Sequence, residues 1–226
     1  MSHRMPMTCL IMLMCDRTTV MGISTSEPNA MIRLHSKTLL LFSLGSFFLY
    51  SLLAGLLHMF FGQGNLLLIA DADLQWFLQL AIGTGAGVAA GLVAWLLFEK
   101  TALRSVLDDF LVVRTVGRMT LSRVDRLQLS LFAGVGEELL FRGAIQPLLG
   151  LWVTSVLFIA LHGYVSFRSA RHMLFGLVMI GLAIMLGMLF EYAGLLAAMT
   201  AHAVYDLIAL EFMVKKRLTH PPEQTA

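Results

Sequence analysis

Charge is what this 226-residue chain lacks. Asp, Glu, Lys and Arg make up 13% of it, against 58% hydrophobic types. A soluble domain carries about 25% charged residues, so there is too little charge here to cover a water-facing surface. The mean hydropathy of +0.81 excludes a disordered chain as well. Cysteine is nearly absent, and Cys9 and Cys15 cannot build a disulfide scaffold. The net charge of +2 gives no argument for a nucleic-acid partner. No His-Glu-x-x-His zinc motif occurs, and no segment alternates like an outer-membrane barrel strand. An integral membrane protein remains.

What is present is a set of long apolar runs. A spanning helix needs about 20 mostly apolar residues, and six stretches qualify, near 38–62, 75–98, 127–148, 150–167, 173–190 and 194–214. The expected fold is all-α, a polytopic transmembrane helical bundle of about six spanning helices, with the lipid bilayer as its solvent. Lys and Arg concentrate in alternate connections: Arg33 and Lys37; Lys100, Arg104, Arg114, Arg118, Arg123 and Arg126; Arg168 and Arg171; Lys215, Lys216 and Arg217. Short cytoplasmic loops keep such an excess, so both termini are expected in the cytoplasm. Trp76, Trp152 and Tyr192 fall at outer ends and Trp95 near an inner end, as an aromatic belt requires. The expected location is a multi-pass position in a bacterial inner (plasma) membrane.

The chain divides into a poorly ordered N-terminal segment (1–36), two spans (37–98), a cytoplasmic amphipathic segment (99–126), a core of four spans (127–214) and a tail (215–226). The apolar run MTCLIMLMC near the N-terminus is too short to span and is followed by no small-residue cleavage site, and Met21 and Met31 are alternative starts. In 99–126, Leu103, Val106, Leu107, Phe110 and Leu111 recur at helical spacing. They suit either a helix lying on the membrane face or a solvated helix packed on the bundle. Gly83, Gly87 and Gly91 repeat every four residues, a spacing that lets two helices approach closely. Packing within the chain is the simpler expectation and dimerisation the other; oligomeric state is not legible.

The informative residues are polar ones inside the spans. Glu137, Glu138 and Arg142 lie in the third, His162 in the fourth, His202 and Asp206 in the sixth. A charge at mid-bilayer costs about 2.5–3.5 kcal/mol on insertion scales, so the groups are expected to pair around one cavity. Glu138 and Arg142 are four apart and share a helix face, as do His202 and Asp206. Glu137 is turned about 100° from Glu138, so one carboxylate is tied to Arg142 while the other is open to general-base work on a water. Intramembrane carboxylates and histidines also mark proton and ion paths.

These residues resemble the motifs of the CAAX-processing and bacteriocin-processing proteases (CPBP, or ABI, family). EELLFR (137–142) is similar to Glu-Glu-x-x-x-Arg, FIALH (158–162) to Phe-x-x-x-His, and HAVYD (202–206) to His followed four residues later by Asn or Asp. The resemblance covers about 127–210. It implies a glutamate-dependent intramembrane endopeptidase acting on a membrane-anchored or lipidated peptide. In that case Glu137 activates water, His162 positions it, Glu138 and Arg142 hold the helix, and His202 faces the oxyanion with Asp206. An ionised Asp206 cannot donate a hydrogen bond, so it is either protonated or orients His202. The resemblance favours a mechanism without a metal cofactor; if zinc is required, Glu137, His162 and His202 are its ligands. A non-catalytic bacteriocin-immunity-type membrane protein and a proton-coupled carrier are the alternative functions.

Overall fold

The computed structural model describes residues 34–61 and 74–219. Cys9, Cys15, Met21, Met31, Arg33, most of the connection between the first two spans, the tail beyond 219 and the side chains of Lys215, Lys216 and Arg217 lie outside the described residues. Helix α1 (Ser36–Phe61) and α2 (Trp76–Lys100) are followed by a 3-10 helix (Ala102–Asp109) and α3 (Leu111–Arg118). Helix α4 (Arg123–Glu138) runs through a π turn (Leu139–Ile145) into α5 (Gln146–Leu161). Helices α6 (Ala170–Ala193) and α7 (Leu195–Thr219) complete an all-α bundle.

Among the described residues, five helices are long and apolar enough to cross a membrane, where six spans were expected. The difference arises because the third and fourth spans form one 39-residue helical stretch, Arg123–Leu161. It is not straight. Gly150 sits at φ 78°, ψ 166°, a backbone that only glycine adopts readily. A straight helix would put His162 about 37 Å from Glu137, yet their side chains are 3.4 Å apart. The chain therefore reverses at Gly150, so this stretch holds two helices rather than one. The return is short: eleven helical residues after Gly150 rise about 16 Å, roughly half of the hydrocarbon core. The helix then ends at Leu161, Gly163 takes φ 73°, and an irregular stretch leads to α6. The fourth span, expected to continue to about 167, is thus a half-helix with non-helical backbone below it. Such backbone is tolerated at membrane depth only where protein or a wet cavity surrounds it; Tyr164 there is buried.

The π turn precedes Pro147, which has no N–H to return to the preceding turn and whose ring crowds it. The wider turn relieves that crowding. The start of α4 is a capping box: the Ser122 side chain accepts from the Asp125 N–H, and the Asp125 carboxylate accepts from the Ser122 N–H.

The glycine repeat packs inside the chain. A Cβ added at Gly87 would stand 2.6 Å from the Ala201 carbonyl oxygen of α7; Gly83 meets Ala197 and Thr200 there, and Gly91 meets Ile208. The amphipathic segment is also packed on protein. Leu103, Val106 and Phe110 are buried, and the Phe110 ring stacks on Phe175 of α6 at 4.2 Å. Elsewhere the outer surface is apolar, as lipid contact requires: Trp76, Trp152 and Tyr192 are each about two-thirds exposed or more.

Candidate active site

All six polar residues singled out in the spans converge. Glu138 and Arg142 are fully buried, one helical turn apart, with Arg142 Nε 3.3 Å from Glu138 Oε2. The guanidinium also donates to the Ala183 carbonyl of α6 (3.0 Å) and lies 4.9 Å from the centre of the Phe158 ring. The other oxygen of Glu138 accepts from His202 Nδ1 at 2.8 Å. A cation, a carboxylate and an imidazole therefore form one line from α6 to α7, and its last member is held by a charge-assisted hydrogen bond.

Glu137 points elsewhere, as its offset on the helix demands. Its Oε2 is 3.4 Å from His162 Nε2 and 4.0 Å from His202 Nε2. His162 Nδ1 donates to the Phe158 carbonyl at 2.8 Å. A carbonyl only accepts, so this bond puts a proton on Nδ1 and leaves Nε2 to face Glu137. Asp206 Oδ2 lies 3.6 Å from His202 Nε2, which suits the orienting role for that residue. Phe158 links the parts: its ring packs between Arg142 and His162, 4.3 Å from the imidazole centre, and its carbonyl fixes the imidazole.

Glu137, His162, His202 and Asp206 line a cavity of about 930 Å³. It extends to the N-terminal end of α1, to the C-terminal ends of α2 and α7 and to α3, where Arg114, Arg118 and Met213 border it. Three lining residues escaped the motifs. Tyr164 stacks on His162, ring centres 5.8 Å apart, and touches Phe110. Tyr205 is buried one residue before Asp206. Ser130 is buried, and its hydroxyl has no hydrogen-bond partner among the described residues. In the sequence, only a serine seven residues before Glu137, on the same helix face, signalled Ser130. Nothing signalled Tyr164, because its place depends on the early end of α5.

Bonds from each imidazole's far nitrogen to a carbonyl or carboxylate resemble those that orient metal-ligating histidines. Among the described residues, however, no three His, Cys, Asp or Glu side chains are grouped so as to hold a metal ion.

A family model for type II CAAX prenyl endopeptidases, Rce1-like, matches residues 121–208, a span that contains all six residues. Residues 121–208 are thus similar to the Rce1-like family, and the match runs from the start of α4 into α7, the stretch that carries all six site residues. Residues of this chain are also 37% identical over 81 positions to "Uncharacterized protein YpbD" of Bacillus subtilis (strain 168). The match covers 35% of this chain and 41% of that protein, so the chain spans less than half the length of this relative. No solved structure matches.

Proposed function

We propose that the protein is an intramembrane endopeptidase that hydrolyses a peptide bond in a membrane-anchored or lipidated protein or peptide, with a water activated by Glu137. The observation that carries this is one carboxylate oxygen flanked by two imidazole nitrogens inside a cavity that reaches α3 at one end of the bundle. The Rce1-like match supports protease chemistry in general.

Amide hydrolysis needs a base for water, a donor for the leaving amine and charge stabilisation for the oxyanion. A water bridging Glu137 and His162 from the cavity side loses its proton to the Glu137 carboxylate as its oxygen attacks the carbonyl carbon. His162, held through Nδ1, aligns that water with Nε2. Protonated His202 donates through Nδ1 to Glu138 and presents Nε2–H to the oxyanion, with Asp206 beside it. As the C–N bond breaks, the proton on Glu137 passes to the amine. The Arg142–Glu138 pair keeps His202 aimed.

Glu137→Gln in the full chain, reconstituted in lipid, should abolish cleavage of a membrane-anchored peptide while insertion and thermal unfolding stay unchanged. Undiminished cleavage by that variant overturns the mechanism. The mechanism we propose uses no metal: a chelator should leave cleavage unaffected, and loss restored by zinc would reassign Glu137, His162 and His202 as ligands. We also place the protein in a bacterial inner membrane, on the loop charges and the bacterial relative.

A further inference from the structure

The mouth of the cavity beside α3 carries more positive charge than its surroundings neutralise. Arg114 and Arg118 stand one turn apart on α3, and Lys100 lies at the end of α2, all three lining the cavity. Among the described residues neither arginine has an acidic partner. Among the described residues the acidic groups lining the same mouth are Glu99, already paired with Arg104 at 2.8 Å, and Asp108, which forms no ion pair with either arginine. Two neighbouring guanidinium groups without a carboxylate suit an anion, which each can grip with a fork of N–H donors.

The depth of the cavity sets a length. Glu137 lies about 21 Å along α4 from Arg123 at the helix start. Met119, next to Arg118, packs with Leu129, which is about 12 Å short of Glu137. An extended peptide advances about 3.3 Å per residue, so four to six residues separate the mouth from the carboxylate. Between the two stands Ser130, on the same face of α4 as Glu137 and two turns nearer the mouth. Its buried, unpartnered hydroxyl lines the cavity and is placed to bond a peptide passing in extended form.

We infer that Arg114 and Arg118 form a substrate-recognition site for an anionic group of the peptide, a terminal carboxylate or an acidic side chain, held about four to six residues from the bond to be cut. This rests on the endopeptidase function. The anion stays at the wet mouth, the extended residues run past Ser130, and the membrane-anchored remainder lies beyond Glu137.

Binding tests this separately from cleavage. Three apolar octapeptides would be titrated calorimetrically into the full-length Glu137→Gln protein in zwitterionic nanodiscs. One ends in a free carboxylate, one in a carboxamide, and one in a carboxamide with Asp as the last residue. The two anionic probes should bind about tenfold tighter than the neutral one. Adding Arg114→Gln and Arg118→Gln should remove that difference, and Arg114→Lys with Arg118→Lys should restore part of it. Preference for the free carboxylate alone assigns the site to a chain terminus; preference for both probes assigns it to any carboxylate. Equal binding of all three, or a preference that survives the glutamines, overturns the proposal. So does a preference that vanishes when phosphatidylglycerol is included, because the arginines then hold lipid headgroups. An unaltered protein that binds with this preference but cuts no peptide would overturn the endopeptidase function and leave the acid-binding mouth standing.

Discussion

Adjacent glutamates do different work because one residue is 100° of helix. Glu138 is sealed, ion-paired with Arg142 and hydrogen-bonded to His202, and Glu137 keeps a 12% exposed side chain facing both histidines. Removing one partner of a buried pair leaves an uncompensated charge and costs about 3–5 kcal/mol. Arg142→Met should therefore lower thermal stability in detergent strongly, whereas Glu137→Gln should not. A melting comparison of the two variants checks this, and equal losses would contradict the division of roles. The Glu138–Arg142 pairing was legible from four-residue spacing alone, and so was the different direction of Glu137. That His202 bonds Glu138 through Nδ1 was not legible, because no local spacing relates residues 64 positions apart.

Among the elements, α2 and α7 approach backbone to backbone along the glycine repeat. Gly87→Leu would place a side chain against the Ala201 carbonyl oxygen and should cost about 1–3 kcal/mol or more through overpacking. Gly85→Leu, where a Cβ meets nothing within 4 Å, should be tolerated. Thermal unfolding of both in detergent tests the pair. The segment between α2 and α4 should behave as a packed element. Phe110→Ala would empty a site bordered by Tyr164, His172 and Phe175, at a cost of about 3–5 kcal/mol, and should speed amide exchange over 102–118. Two facts at this scale were hidden in the sequence. The apolar stripe of 103–111 suits lipid and protein equally, and only the aromatic partners on α6 decide between them. The end of α5 at Leu161 was hidden too, because apolar residues continue through Val165 and Phe167 and periodicity cannot show where backbone leaves the helix.

For the whole molecule, hydropathy was enough to give an all-α bundle with long apolar helices. It missed that the fourth span is half helix. The reversal at Gly150 can be tested with Cys9 and Cys15 replaced by Ser. A cysteine at Ser105 should react with a membrane-impermeant maleimide only from the cytoplasmic side, and one at Leu149 only from the outer side. Labelling of both from one side would refute the expected six-span topology.

The line from Arg142 through Glu138 to His202 also bears on how the protein is made. The ribosome delivers Glu138 and Arg142 well before Ala183 and His202, each of which forms a hydrogen bond with one of them. Until α7 emerges, the nascent α4 carries a carboxylate missing one of its partners, so the site matures at the end of synthesis. A chain stopped after α6 should insert but remain open to proteolysis, and supplying α7 as a separate polypeptide should close it.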